Sequence, residues 1–124
     1  MLLFKANGSG FADPAFSENR EVPIHRWVPW VAGFSAAFVA EVLARYAPEG
    51  GLVVDPFAGV GTTLVETVTA GPRYEAIGFE INPFAAFAAQ TKLEAIGTNP
   101  QKLRNLRIRF REEAPRSQPI NPPK

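Results

Sequence analysis

The chain lacks cysteine altogether and has a single histidine, His25, among its 124 residues. Without cysteine it can form neither disulfide bonds nor thiolate zinc sites, and one histidine cannot build a histidine cluster for a metal ion. No apolar run approaches the ~20 residues that a membrane-spanning helix needs, and the N-terminus lacks a signal-peptide pattern. These absences predict a cytoplasmic protein with no membrane partner and no metal site.

What remains is an ordinary globular composition, with 46% hydrophobic and 20% charged residues. A chain of this length can bury one modest hydrophobic core, so we expect one folded domain. We divide the chain into an irregular, aromatic-rich arm over residues 1–34, an α/β domain over residues 35–113 and a disordered, proline-rich tail over residues 114–124. The tryptophans of the arm, Trp27 and Trp30, either cover the core or line a ligand pocket.

The net charge of +1 conceals a concentration of basic side chains near the C-terminus. They are Lys102, Arg104, Arg107, Arg109, Arg111 and Arg116. A helix over residues 100–113 would carry most of them, although Leu106, Ile108 and Phe110 also alternate as they would in a strand. We interpret this stretch as a solvated helix face, with contact to nucleic-acid phosphates as the alternative.

Residues 51–83 carry the clearest pattern in the chain. An apolar run over residues 51–55 ends at Asp55, and a turn of small residues and a helix pattern follow. A second apolar run over residues 74–80 ends at Glu80. This order predicts two parallel strands joined by a helix, with an acid at the carboxyl end of each strand. In such a unit the turn offers backbone N–H groups to a ligand, and the second acid lies where nucleotide-binding sheets hydrogen-bond ribose.

Three further signals place helix ends around this unit. Ser35 is expected to cap the first helix, Gly71 to end the second, and Asn82 to cap the third. The helices are predicted over residues 35–47, 62–70 and 84–96.

The apolar residues of these elements predict which faces are buried. The first strand is apolar on both faces, which is typical of a strand enclosed between the layers of a parallel sheet. In the helices we expect apolar stripes that belong to the core rather than to a site. The stripes are Phe38, Val39, Val42, Leu43 and Tyr46 in the first helix, Leu64, Val65 and Val68 in the second, and Phe84, Phe87, Ala88 and Ala95 in the third.

The sequence of the turn after Asp55 indicates which class of nucleotide-like ligand it can bind. The dinucleotide fingerprint G-x-G-x-x-G fails at its third glycine, where Leu64 stands, and the P-loop pattern is absent. A carboxylate just before the turn would repel a phosphate and attract a cation such as an amino-acid ammonium. S-adenosylmethionine meets these requirements, with Glu80 at its ribose, Asp55 at its positive end, and the turn around Gly59 and Gly61 in close approach.

Three segments of the sequence resemble one enzyme family. Residues 55–63, DPFAGVGTT, resemble the D-P-F-x-G-x-G-T-T form of motif I in the DNA amino-methyltransferases, which methylate adenine N6 or cytosine N4. Residues 79–83, FEINP, are similar to motif II of that family, and residues 25–35 resemble the segment that precedes motif I. The resemblance extends over residues 13–96. RNA guanine-N2 methyltransferases also use a D-P-x-x-G-x-G-T turn, so an RNA substrate is the alternative.

The resemblance implies a fold, a cofactor and a set of binding residues. The fold would be α/β, a partial Rossmann-like methyltransferase domain with an incomplete sheet. The cofactor would be S-adenosylmethionine, and the partner would be DNA, bound through the complete enzyme. The cofactor-binding residues would be Trp30, Phe34, Ser35, Asp55, Pro56, Phe57, Ala58, Gly59, Gly61, Thr62, Thr63, Glu80, Ile81 and Asn82.

The catalytic motif of that family, [DNS]-P-P-[YFW], has no good counterpart in this sequence. In the family it holds the target amino group and stacks on the flipped base. Residues 121–124, NPPK, have lysine in place of the aromatic residue, and we interpret this similarity as coincidence. We therefore assign no catalytic residue, and we expect His25 to be a hydrogen-bonded structural residue.

Three hypotheses stay open: a cofactor half that works with a separate catalytic half, a non-catalytic binder of S-adenosylmethionine, and a remnant that does not fold stably.

Overall fold

The computed structural model describes residues 10–31 and 33–113. This part of the chain combines helices with a two-stranded parallel sheet, which confirms the predicted partial α/β fold. In chain order the elements are two short 3-10 turns, Phe16–Arg20 and His25–Trp27, followed by α1 (Ala36–Tyr46), β1 (Gly51–Asp55), α2 (Thr62–Thr69), β2 (Tyr74–Gly78), α3 (Pro83–Ile96) and α4 (Pro100–Glu113).

The two strands lie side by side in parallel register, with Val53 opposite Ala76 and Asp55 opposite Gly78. The Phe79 N–H donates to the Asp55 carbonyl at 2.9 Å, which extends the pairing one step beyond the strands. Both strands therefore end at the same edge of the sheet, and the turn that leads into α2 starts there.

The predicted caps are confirmed at all three helices. The Ser35 hydroxyl accepts a hydrogen bond from the Phe38 N–H at 3.2 Å, and the Asn82 side chain accepts one from the Phe84 N–H at 3.0 Å. Gly71, with a φ of +118°, follows the last turn of α2. These local signals fix the helix ends because each one satisfies or terminates backbone groups that the helix leaves unpaired.

Among the described residues, the hydrophobic core covers only one face of the sheet. Val39 and Leu43 of α1 pack with Tyr74 and Val53, and the Tyr74 hydroxyl donates to the Ala47 carbonyl at 2.8 Å. α2 lies over the same face, where the Leu64 side chain packs against Gly78.

The opposite face of the sheet is exposed in the described part of the chain. Leu52, Val54 and Ile77 have exposed fractions of 57%, 54% and 46%. The prediction that the first strand is buried on both sides is therefore wrong, because alternate residues of a strand point to opposite faces, and α1 and α2 pack on one of them. We call Leu52, Val54, Ile77 and Phe79 the outer sheet face.

Three helices bury different residues from those predicted. In α1, Val39 and Leu43 are buried as expected, but Tyr46 is exposed. In α2, Leu64 and Val65 are buried as expected, but Val68 is exposed and Thr67 takes the inner position. In α3, Phe84 and Phe87 are exposed, Ala95 is half-buried, and the buried residues are Ala85, Ala88, Ala89 and Lys92. The small face of α3 is turned inward because the glycine turn approaches this helix too closely for a phenylalanine.

From residue 10 onward, the arm has a more regular structure than the sequence predicts. The buried Asn19 side chain donates to the Phe34 carbonyl and accepts from the Ala36 N–H, each at 2.8 Å, which holds the first 3-10 turn against the start of α1. Phe11 packs edge-on against Phe38 at a centroid distance of 5.7 Å and stacks on Tyr46 at 6.3 Å.

α4 confirms the helical alternative for the basic stretch, and all of its residues are exposed. The predicted tail, including residues 121–124, lies outside the described residues, as do residues 1–9 and Ala32, so the division into arm, domain and tail stays a prediction. Within the described part of the chain, no helix is both long and apolar enough to cross a bilayer.

Candidate functional site

The turn between β1 and α2 is held by backbone hydrogen bonds to the end of β2 and within itself. The Ala58 N–H donates to the Phe79 carbonyl at 2.9 Å, and the Gly61 N–H donates to the Ala58 carbonyl at 2.8 Å. Gly59 and Gly61 have φ values of +53° and +83°, which a residue with a Cβ adopts only at a cost. At Gly61 an added Cβ would also lie 2.8 Å from the Cβ of Ala89, so this glycine lets the turn contact α3.

Asp55, the last residue of β1, starts the turn. One of its carboxylate oxygens accepts a hydrogen bond from the Phe57 N–H at 3.0 Å, and the residue is only 8% exposed. An aspartate that bonds the backbone two residues on favours a tight turn. The carboxylate is thus fixed and mostly shielded from water at the carboxyl end of the strand.

Glu80, two residues beyond β2, reaches back to the same turn. Its Oε2 accepts a hydrogen bond from the Gly59 N–H at 2.8 Å, and its Oε1 accepts one from the Asn82 N–H at 2.7 Å. The acid after the second strand therefore joins the glycine turn to the start of α3.

Trp30 of the arm lies against the turn and forms an aromatic wall beside it. The Trp30 indole lies so close to Gly59 that an added Cβ there would be 3.1 Å from Nε1. Between this wall, α1 and the turn lies a cavity of about 650 Å³. The lining residues are Trp30, Gly33, Phe34, Phe38, Val39, Val42, Leu43, Val53, Val54, Asp55, Pro56, Phe57, Ala58, Gly59, Val60, Thr62 and Thr63.

Most of the predicted binding residues meet at this cavity. Trp30, Phe34, Asp55, Pro56, Phe57, Ala58, Gly59, Thr62 and Thr63 all line it. Five others do not. Gly61 is buried against α3 and Glu80 accepts a hydrogen bond from the Gly59 N–H, while Ser35 and Asn82 act as helix caps and Ile81 is fully exposed. Phe38 and Val42, which the helical stripe predicts as core, are half-buried and line the cavity.

Lys92 is a buried residue that the sequence reasoning did not identify. It is 1% exposed, and its Nζ donates a hydrogen bond to the Val60 carbonyl at 3.1 Å. Burial lowers the pKa of Lys92 from its ordinary value of 10.5, because a charged ammonium loses its hydration there. The signal in the sequence is spacing, since Lys92 follows Ala85, Ala88 and Ala89 on one face of α3 at helical intervals.

His25 is buried as well and is hydrogen-bonded, in agreement with the structural role expected for it. Its Nε2 lies 2.8 Å from Oε1 of Glu66 on α2, and its Nδ1 has no hydrogen-bond partner among the described residues. It follows a turn in which Ile24 has a φ of +70° and the His25 N–H donates to the Pro23 carbonyl at 2.9 Å. The pair His25–Glu66 attaches the arm to α2.

Comparison with known proteins gives matches over the same region. Residues 13–91 match the family model described as DNA methylase, of the N6/N4 type. The chain is 32% identical over 93 residues to the Type II methyltransferase M.MjaII of Methanocaldococcus jannaschii, which is 75% of this chain and 17% of that protein. It is 29% identical over 79 residues to the Type II methyltransferase M.BsoBI of Geobacillus stearothermophilus, which is 63% of this chain and 15% of that protein. No solved structure matches the chain.

Proposed function

Because this chain belongs to the family of N6/N4 DNA methylases, we propose that it forms the S-adenosylmethionine-binding part of a DNA methyltransferase that acts on an exocyclic amino group of adenine or cytosine. The family implies a methyl donor of this kind. The observation that carries the proposal is the convergence of Asp55, the glycine turn, Trp30 and Phe34 on one cavity.

The cavity suits this cofactor in size and in chemistry. Its volume of about 650 Å³ lies within the range of about 300–1,000 Å³ that is typical of small-molecule sites. Trp30 and Phe34 offer flat apolar surface to the adenine or the methylene chain, and the shielded carboxylate of Asp55 would attract a cationic group more strongly than an exposed one. The bound cofactor would supply an electrophilic methyl group, and these residues would bind it and orient it.

Glu80 is the residue that we assign to the ribose. Both of its oxygens already accept a backbone hydrogen bond, from Gly59 and from Asn82. A carboxylate oxygen can accept more than one hydrogen bond, so a ribose hydroxyl could donate to Glu80 without displacing either backbone partner. Glu80 would then bind the cofactor and hold the turn at the same time.

Calorimetric titration of the full chain tests the proposal. We expect binding of S-adenosylmethionine and of S-adenosylhomocysteine, and none of NAD or ATP, because Asp55 stands where a phosphate would have to approach. Asp55→Asn should weaken the binding of S-adenosylmethionine, whereas the exposed acid Glu75→Gln should not. A chain that is folded by circular dichroism and gives no heat with either S-adenosyl compound would refute the proposal, and an unfolded chain would favour a remnant.

We also propose that a separate catalytic half covers the outer sheet face. Leu52, Val54, Ile77 and Phe79 form an exposed apolar surface beside the proposed cofactor pocket, which favours a partner with an apolar face of its own. The matched region spans 17% and 15% of the length of the two curated relatives.

A methylation assay with tritiated S-adenosylmethionine tests this second step. The chain alone should bind the cofactor and transfer no methyl group to DNA or to RNA. If a neighbouring reading frame encodes a strand that ends in S-P-P-Y or its equivalent, adding its product should produce methylation of DNA. Methylation by the chain alone would contradict the need for a partner, and methylation of RNA alone would favour the guanine-N2 alternative. Cofactor binding without any transfer by the reconstituted pair would favour a non-catalytic module.

A further inference from the structure

Lys92 is a buried cation that binds the glycine turn from outside the cavity. Its Nζ donates to the Val60 carbonyl at 3.1 Å, and this is its only hydrogen bond to the described residues. No carboxylate among the described residues forms an ion pair with it. Burying a charged group with so few partners is costly. If the side chain at position 92 only filled space, an apolar residue there would give a more stable fold.

The hydrogen bond fixes a specific peptide plane. The Val60 carbonyl and the Gly61 N–H belong to the same peptide group, and the Gly61 N–H donates to the Ala58 carbonyl at 2.8 Å. Lys92 therefore holds one side of this plane while Ala58 holds the other. The peptide group that joins Ala58 to Gly59 is fixed in a similar way, because the Gly59 N–H donates to Glu80 at 2.8 Å.

The peptide group between these two, which joins Gly59 to Val60, lies at the cavity. Gly59 and Val60 both line it, and the peptide that joins them can rotate only as far as its two neighbours allow. Glycines give this turn more conformational freedom than other residues would, so ordering it depends on such contacts from outside. The Val60 side chain adds to the same attachment by packing against Ala85 and Ala88 of α3.

We propose that Lys92 is a positioning residue of the cofactor pocket, which holds the Val60 carbonyl so that the glycine turn keeps its ligand-binding conformation. The inference rests on the proposed function, because it names how the same site is kept in order. Lys92 itself does not line the cavity and acts through Val60.

The first test separates positioning from packing with Lys92→Met, which keeps the length of the side chain and removes the ammonium. We expect the affinity for S-adenosylmethionine to fall at least tenfold, while the urea midpoint of unfolding stays the same or rises. A space-filling residue would give the opposite result, with affinity kept as long as the chain is folded. Wild-type affinity in Lys92→Met would overturn the proposal.

The absence of cysteine from the chain allows a sharper test with a matched control. In Lys92→Cys the single thiol is alkylated in the unfolded chain, either with bromoethylamine, which restores an ammonium, or with bromopropane, which adds a neutral chain of the same length. After refolding, the aminoethylated protein should bind S-adenosylmethionine within about threefold of wild type, and the propylated protein should bind as weakly as Lys92→Met. Equal affinity of the two alkylated proteins would overturn the proposal even if Lys92→Met itself failed to fold.

A third measurement keeps this inference apart from the proposed function. The amide resonances of Gly59 and Gly61 in the ligand-free chain should move in Lys92→Met and return in the aminoethylated protein. If the wild-type chain binds no S-adenosylmethionine, the proposed function fails, whereas the glycine resonances still decide whether Lys92 orders the turn. Unchanged resonances in Lys92→Met would reject that role.

Discussion

The carboxylate of Glu80 accepts a 2.8 Å hydrogen bond from the backbone N–H of Gly59, across 21 residues of chain. The acid that follows the second strand thus fixes the turn that follows the first. A carboxylate in this position needs no ligand to be ordered. The ribose site that we assign to Glu80 would then be preformed, which lowers the entropy that binding has to offset.

Glu80→Ala should weaken binding of S-adenosylmethionine by about 1–3 kcal/mol, the usual cost of losing a charge-assisted hydrogen bond. The loss has two sources, because the ribose hydroxyl loses its acceptor and the Gly59 N–H loses its partner. Glu80→Gln should lie between wild type and the alanine variant, since an amide oxygen can still accept from Gly59. Titration calorimetry measures both, with Glu75→Ala on the exposed side of β2 as the control. Unchanged affinity in Glu80→Ala would remove this residue from the site.

Gly61→Ala should lower the free energy of unfolding by about 1–3 kcal/mol, because the residue has positive φ and its Cβ would collide with α3. The collision is with Ala89, at 2.8 Å from the added Cβ. Gly97→Ala is the matched control, since Gly97 has a φ of −84° and no atom within 4 Å of an added Cβ. In the control the free energy should stay the same or rise by up to about 1 kcal/mol. Equal urea curves for the two variants would show that the turn does not contact α3.

Local sequence signals were sufficient for the helix ends and for the order of strands and helices. Ser35, Gly71 and Asn82 each act on backbone groups a few residues away, so their roles can be read without the tertiary structure. The inward face of α3 could not be read this way. Phe84 and Phe87 are the more hydrophobic residues, yet Ala85 and Ala89 are buried because Gly61 brings the turn against this helix.

The same limit applies to the candidate site. The acid, the turn and the aromatic segment form contiguous motifs, and the structure brings nine of their residues to one cavity. Lys92 stands 32 residues from Val60, and a lysine in an alanine-rich helix is ordinarily solvated. Only the docking of α3 on the turn decides that this side chain is buried. The exposure of Val54 likewise depends on what covers the sheet, which the strand's own residues do not specify.

The two faces of β1 should respond differently to the same substitution. Val53→Thr places a hydroxyl among Val39, Leu43 and Tyr74 and should lower the free energy of unfolding by about 1–2 kcal/mol. Val54→Thr lies on the outer sheet face and should change it by less than about 0.5 kcal/mol. Val54→Thr combined with Ile77→Thr should also reduce binding of a hydrophobic dye by the isolated chain. Equal destabilisation by Val53→Thr and Val54→Thr would mean that both faces are covered in solution, against the proposed docking of a catalytic half.

The free energy of unfolding of the wild-type chain should rise relative to that of Lys92→Met as the pH is raised from neutral toward about 10. Burial lowers the pKa of Lys92 below its ordinary value of 10.5. Between the lowered pKa and 10.5 the unfolded chain binds more protons at this residue than the folded chain does, so raising the pH through this window stabilises the fold. Below the window both states are fully protonated and the cost of the buried ammonium is at its largest.

Urea unfolding of both proteins at neutral pH and at about pH 10 measures this dependence, and the difference between them cancels the titration of all other groups. Because the methionine carries no charge, Lys92→Met should be at least as stable as wild type at neutral pH, and the gap should narrow as the pH rises. A gap that is constant over this range would mean that Lys92 titrates alike in the folded and unfolded chains. The ammonium would then be hydrated in the folded protein, and the hydrogen bond to Val60 could not order the turn as proposed.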